Sequence, residues 1–193
     1  MEKKKWHFNA MQAFTGISLM LSLNIMDILP VLQRCTTRKI SAHKVEYKIT
    51  VDDSSRKREV KKIKNKIKHL LPEMDITKLD ELAVAIYDNG YEYDLDFDLL
   101  VSIAFQESEF VQKAVSPAGC LGYFQINVKA HPVDLTRIYD AHYNTALGCR
   151  VLTWKIRAYN GNIHKALSAY SNWTPNYAKQ VLQRKERLKN IAI

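Results

Sequence analysis

The sequence predicts a mainly α-helical protein: one compact helical domain behind an N-terminal apolar helix and a basic stalk. Three observations predict it. Apolar residues recur at helical spacing between recognisable caps, no run alternates strongly enough to build a sheet, and excess positive charge is confined to one short segment. The chain has 193 residues, enough for one domain with an appendage. Hydrophobic residues make up 47% and charged residues 25%, which excludes a wholly disordered chain. Six Gly and five Pro exclude a collagen-like or linker-dominated one. Three Cys are too few for a disulfide-built scaffold, and no Cys or His spacing suggests a metal site.

Residues 1–32 read as a signal anchor. Lys3, Lys4 and Lys5 precede an apolar stretch from Phe8 to Leu32, within which Ala10–Leu29 matches the roughly 20 residues that span a bilayer. Asp27 falls near the end of that span, where a charge costs less, and Pro30 marks the end. No clear small-x-small cleavage site follows, so an uncleaved transmembrane anchor is expected, with a signal whose cleavage site is poorly marked as second choice and a buried helix of a soluble domain as the competing reading. Residues 33–72 form a basic linker. Within it, residues 33–70 hold 13 basic and 4 acidic residues, against 13 and 14 in residues 71–193. The formal charge of +9 therefore belongs to the linker, and the body has no basic surplus with which to bind nucleic acid. Only Tyr47 offers a base-stacking ring in that segment, so no nucleic-acid partner is expected. Residues 45–51 alternate like an isolated strand. From Arg56 to Leu71, Val60, Ile63, Ile67 and Leu70 make a helical stripe among lysines. Such a helix lies on an anionic membrane or docks its stripe on the domain behind it.

Residues 73–190 carry the domain. Asp75 caps a helix with Ile76, Leu79, Leu82, Ala83 and Ile86, stopped by Asn89-Gly90. Asp96 caps the next, over Phe97–Phe110. Residues 115–131 are loop-rich. Asp140 opens a long helix through Tyr159, Asn162 caps a short one to Tyr170, and Thr174-Pro175 opens a last helix to about Lys189.

Glu107 is the most informative residue. It falls three, four and seven positions from Ala104, Ile103 and Leu100, on the apolar stripe of its helix, which Phe110 and Val111 extend. Glu109 is rotated about 200° away and joins Ser102 and Gln106 on the polar face. Burial raises a carboxyl pKa, and a Glu tuned upward suits general acid catalysis near neutral pH. Pattern alone leaves two readings open: a catalytic acid, or a buried Glu paired with an Arg or a helix end.

Around Glu107 stand four motifs in order. They are Gln106-Glu107-Ser108-x-Phe110, then Ser116-x-Ala118-Gly119-x-x-Gly122-x-x-Gln125, then Asn144-x-x-x-Gly148, and last Ala169-Tyr170. Together they resemble the soluble lytic transglycosylase (SLT) domain, a relative of goose-type lysozyme, over roughly residues 76–185. The resemblance implies a lysozyme-like helical fold acting on the β-1,4 bond between N-acetylmuramic acid and N-acetylglucosamine in peptidoglycan. It implies Glu107 as catalytic acid and then base, sugar contacts from Ser108 and Gln125, and a Tyr170 hydroxyl bonded near Glu107. Where the family has Gly-Leu-Met-Gln, this chain has Gly122-Tyr123-Phe124-Gln125, and Tyr123 and Phe124 are expected to line the sugar cleft. Where it has Ala-Tyr-Asn, this chain has Ala169-Tyr170-Ser171, with a smaller hydroxyl. Asn144 and Gly148 read as a loop brace and a close helix crossing.

The four motifs contain no second acid, and Asp140 is explained as a cap. One Glu suffices if the substrate's own C6 hydroxyl attacks, which gives a 1,6-anhydro end without metal or cofactor. A lysozyme-type hydrolase and a non-catalytic wall-binding module are the alternatives. Cys120 and Cys149 form a disulfide in an oxidising compartment or remain buried thiols; both readings stay open. The expected setting is the cell envelope, with the catalytic domain in the periplasm or extracytoplasmic space, or a phage virion. The expected partners are glycan strands, the membrane through the N-terminal helix, and a secretion, conjugation or phage-entry apparatus that must open the wall.

Overall fold

The computed structural model describes residues 53–191. The anchor expected over 1–32, Cys35 and the alternating stretch 45–51 lie outside them. Among the described residues six helices and one short hairpin form a single core, and no helix is long and apolar enough to cross a membrane.

Helix α1 (Asp53–Leu70) turns Ile63 and Ile67 into that core, against α2 (Ile76–Glu92) and α3 (Phe97–Ser108). Its cations meet acids of the body. Arg56 forks onto Asp88 at 2.8 and 3.0 Å, Lys64 pairs with Asp80, and Lys66 pairs with Asp98 at 2.5 Å with both side chains 13% exposed. Part of the linker's positive charge is thus matched by the domain it precedes.

In α2, Asp75 accepts from the Lys78 amide as expected, but Asn89-Gly90 does not end the helix. Both residues are buried inside it. The Asn89 amide donates to the Ala85 carbonyl, and a Cβ on Gly90 would lie 2.7 Å from the Phe97 ring. Here glycine permits a close packing contact rather than a left-handed stop, and the chain turns later, at Asp94.

Asp96 caps α3, accepting from the Leu99 amide. The helix stops at Ser108, short of the expected Phe110, because Glu109 and Phe110 both take left-handed backbone (φ 49° and 61°). The turn inserts the Phe110 ring edge-on to Phe105 in the core and leaves Val111 53% exposed, off the stripe it was expected to extend. The supposed polar face of α3 is also covered. Ser102 is buried, and Arg184 donates to the Ser102 carbonyl and the Gln106 side chain while lying over Phe105. Glu109 alone of that face is exposed.

Strands β1 (Cys120–Leu121) and β2 (Ile126–Asn127) pair antiparallel inside the expected loop region. Helix α4 (Ala141–Ala158) is capped by Asp140, and α5 (Ile163–Tyr170) by Asn162. The last helix, α6 (Tyr177–Lys189), begins later than Thr174-Pro175 suggests. The Thr174 hydroxyl donates back to the Ser171 carbonyl and is spent in the turn, while Asn176 opens the helix at positive φ without a side-chain cap.

Candidate active site

Glu107 occupies the next-to-last position of α3, where the helix gives way to the left-handed turn. Two hollows meet at it. One of about 650 Å³ is walled by β1, β2, α4 and α5; the other, of about 400 Å³, is walled by the end of α3 and the segment through Ser116. They share Glu107, Ser116 and Gln125, so the carboxylate stands in the middle of one groove open to both sides.

Burial pushes the Glu107 carboxyl up to about 7, opposed by a hydrogen bond that favours its charged form. The donor is Tyr177, whose hydroxyl reaches Glu107 Oε1 at 2.5 Å from the first turn of α6. Nothing in the sequence marks Tyr177; it reads as one more apolar position of the last helix. Burial and the neighbouring carboxylate raise its own pKa well above the ordinary phenol, so it remains a donor.

The resemblance placed a hydroxyl from Tyr170 beside Glu107. Tyr170 does line the groove, and Glu107 is near enough to help raise its pKa, after burial. Its proton, however, goes to the Phe124 carbonyl at 3.0 Å. Tyr170 holds the loop, while Tyr177 holds the acid.

The loop around Gly122 is a knot of backbone contacts. The Asn144 carboxamide accepts from the Phe124 amide and donates to the Leu121 and Ile138 carbonyls. Gly122 sits at φ +81°, and a Cβ there would lie 2.2 Å from the Asn144 nitrogen. A Cβ on Gly148 would lie 2.6 Å from the Phe124 ring. Both readings of the third motif, loop brace and close crossing, describe what these residues do.

Tyr123 and Phe124 do not line the cleft. They are 0% and 1% exposed, members of the core. The backbone turn that presents Gln125 drives the two preceding rings inward, and burial raises the Tyr123 phenol to about 12. Gln125 itself borders both hollows; its amide donates to the Gly122 and Ala114 carbonyls, which fixes the side chain across the loop. Ser108 borders the smaller hollow, and its hydroxyl lies within bonding distance of the Ala104 and Tyr123 carbonyls, so it ties the end of α3 to the same loop. Cys120 and Cys149 are free thiols. Cys120 borders the groove, whereas Cys149 is buried in the core, where desolvation raises its pKa to about 12. No group of His, Cys, Asp and Glu among the described residues could hold a metal ion.

A largely buried acid at the centre of an open groove, with loop and helices braced around it, is the frame the four motifs imply. The transglycosylase SLT domain family model matches residues 85–193, more than half of the chain. The chain belongs to the SLT family. Lytic transglycosylase-type chemistry on peptidoglycan is therefore the family-level activity, and the SLT match begins within α2 and runs through every described residue of the groove.

Proposed function

We propose that the protein is a lytic transglycosylase that cleaves the β-1,4 bond between N-acetylmuramic acid and N-acetylglucosamine and leaves a 1,6-anhydro end. The observation that carries the reading is the distribution of acids in the groove. Paired-carboxylate glycosidases set two acids about 5–9.5 Å apart across the scissile bond. Here the residues that β1, β2, α4 and α5 contribute include no carboxylate, and the second acid of the groove, Glu109, follows Glu107 on the same wall.

With no carboxylate facing Glu107 from those elements, the proton must cycle. Protonated Glu107, abundant near neutral pH because its pKa is about 7, donates to the glycosidic oxygen as the bond to C1 breaks. The acetamido oxygen of the same sugar supports the positive C1. Glu107, now a carboxylate, takes the proton of the C6 hydroxyl as that oxygen bonds to C1. One C–O bond breaks, one forms, the proton returns to the acid and no water is consumed. Tyr177 steadies the carboxylate form between the two transfers. The segment 1–32 anchors the enzyme, with the groove on the extracytoplasmic side, where the wall lies.

Mass spectrometry of sugars released from purified sacculi tests this. Anhydro ends support it. Reducing ends that carry oxygen from solvent water replace the transglycosylase with a hydrolase, and binding without release leaves a wall-binding module.

A further inference from the structure

We infer that Lys155 anchors a carboxylate carried on the muramic acid, so that the larger hollow reads the substituent as well as the sugar; this rests on the peptidoglycan reading above. The two hollows differ in charge. The smaller has the exposed Glu109 on its wall, while the larger has Lys155 and His131 and, among the described residues, no acid besides Glu107 at the junction.

Lys155 lies one helical turn beyond Val151 on α4, and both border the hollow. It is half-buried, and its ammonium stands 4.7 Å from the centre of the exposed Trp154 ring. It makes no ion pair with any described residue. Lys64, Lys66 and Lys185, which pack against the body at similar depth, each have one. A cation set in a groove wall without its counter-ion favours an anionic ligand, and a charge-assisted bond there is stronger than a neutral one.

Along the glycan, N-acetylglucosamine is neutral. The muramic acid carries a lactyl group, which is a free carboxylate on a bare strand or is amide-linked to a short peptide that bears carboxylates of its own. Either source offers the same chemistry to Lys155.

The test is retention of full-length Glu107→Gln protein, in detergent, on three glycans coupled to beads, since stripping the peptides frees the strands. Intact sacculi present peptide carboxylates, amidase-stripped sacculi present bare lactyl carboxylates, and chitin presents neither. Adding Lys155→Met should weaken retention on intact sacculi, stripped sacculi or both by about three- to tenfold, the range for one partly exposed charge-assisted bond. Chitin retention should not change, and the sacculus affected identifies the carboxylate. Lys155→Arg should restore most of the loss. No loss on any support, or an equal loss on chitin, overturns the inference. Release of glycan ends by the wild-type protein is scored in parallel: no release, with the lysine effect intact, sinks the transglycosylase and leaves the carboxylate site standing.

Discussion

Glu107 combines two demands that oppose each other: burial that keeps it protonated, and a Tyr177 hydroxyl that favours its charge. Glu107→Gln keeps the shape and the acceptor but cannot carry a proton. Turnover of sacculi should fall by about 10⁴-fold or more, since in the proposed mechanism one residue supplies both acid and base. Its stability should change with pH in a defined sense. The folded carboxyl is raised from 4.5 to about 7, so across that window the unfolded chain releases a proton that the folded chain holds. Wild-type stability is then greatest below the window and falls as pH rises through it. Urea denaturation should find Glu107→Gln more stable by about 1–3 kcal/mol above pH 7, with the gain gone below pH 4.5. A gain independent of pH would contradict the raised pKa. Tyr177→Phe removes the bond that lowers the Glu107 pKa. The alkaline limb of the kcat/KM profile should move to higher pH while kcat drops, because the acid is held less firmly in place. An unmoved limb with unchanged kcat would deny Tyr177 that role.

The elements act through where they stop and where they touch. Helix α3 ends just past Glu107 because two non-glycine residues adopt left-handed backbone, a conformation that costs about 1–3 kcal/mol per residue and persists only where packing over-determines it. The buried Phe110 ring, set against Phe105, supplies that packing. The crossing of α4 with the Gly122 loop is equally tight. Gly148→Ala would press a methyl into the Phe124 ring, whose backbone is held by both Asn144 and Tyr170. The side chain cannot yield without moving the loop that carries Gln125. A loss of about 1–3 kcal/mol in thermal or urea unfolding is expected, the usual range for overpacking a close-packed site. Activity should fall further than stability alone explains, and full stability would show that the crossing has slack.

At the scale of the molecule, the described residues that line the groove all come from α3 onward, while α1 adds core and ion pairs against α2 and α3. The proposed division of the chain assigns catalysis to the helical domain and only anchoring to residues 1–32. Removing them should give a protein that stays in solution without detergent and digests purified sacculi at a rate close to that of the full chain. A folded but inert truncation would place part of the site in the N-terminal segment. Cutting instead at residue 72 removes Ile63, Ile67 and the Lys66–Asp98 pair, exposes the apolar faces they cover, and should leave an unstable domain.

The sequence by itself determined the class of the fold, most helix starts and the burial of Glu107. Each of these is a local property: an Asp or Asn before an apolar period caps a helix, and a Glu on an apolar stripe is a buried Glu. It also determined Asn144 and Gly148, whose spacing of four puts them on one face of α4. The tertiary structure alone decided the rest. Gly90 looked like a stop because glycine stops helices, yet its missing side chain makes room for Phe97 from the next helix. Tyr123 and Phe124 looked like cleft walls because they stand in the family's loop motif and aromatic rings suit a sugar cleft, yet a turn that faces Gln125 outward faces its neighbours in. Tyr177 lies 70 positions from the carboxylate it holds, and no period or cap within a chain reports a contact between side chains so distant in it. Local rules specify what a residue prefers; which partner meets it depends on how the helices cross.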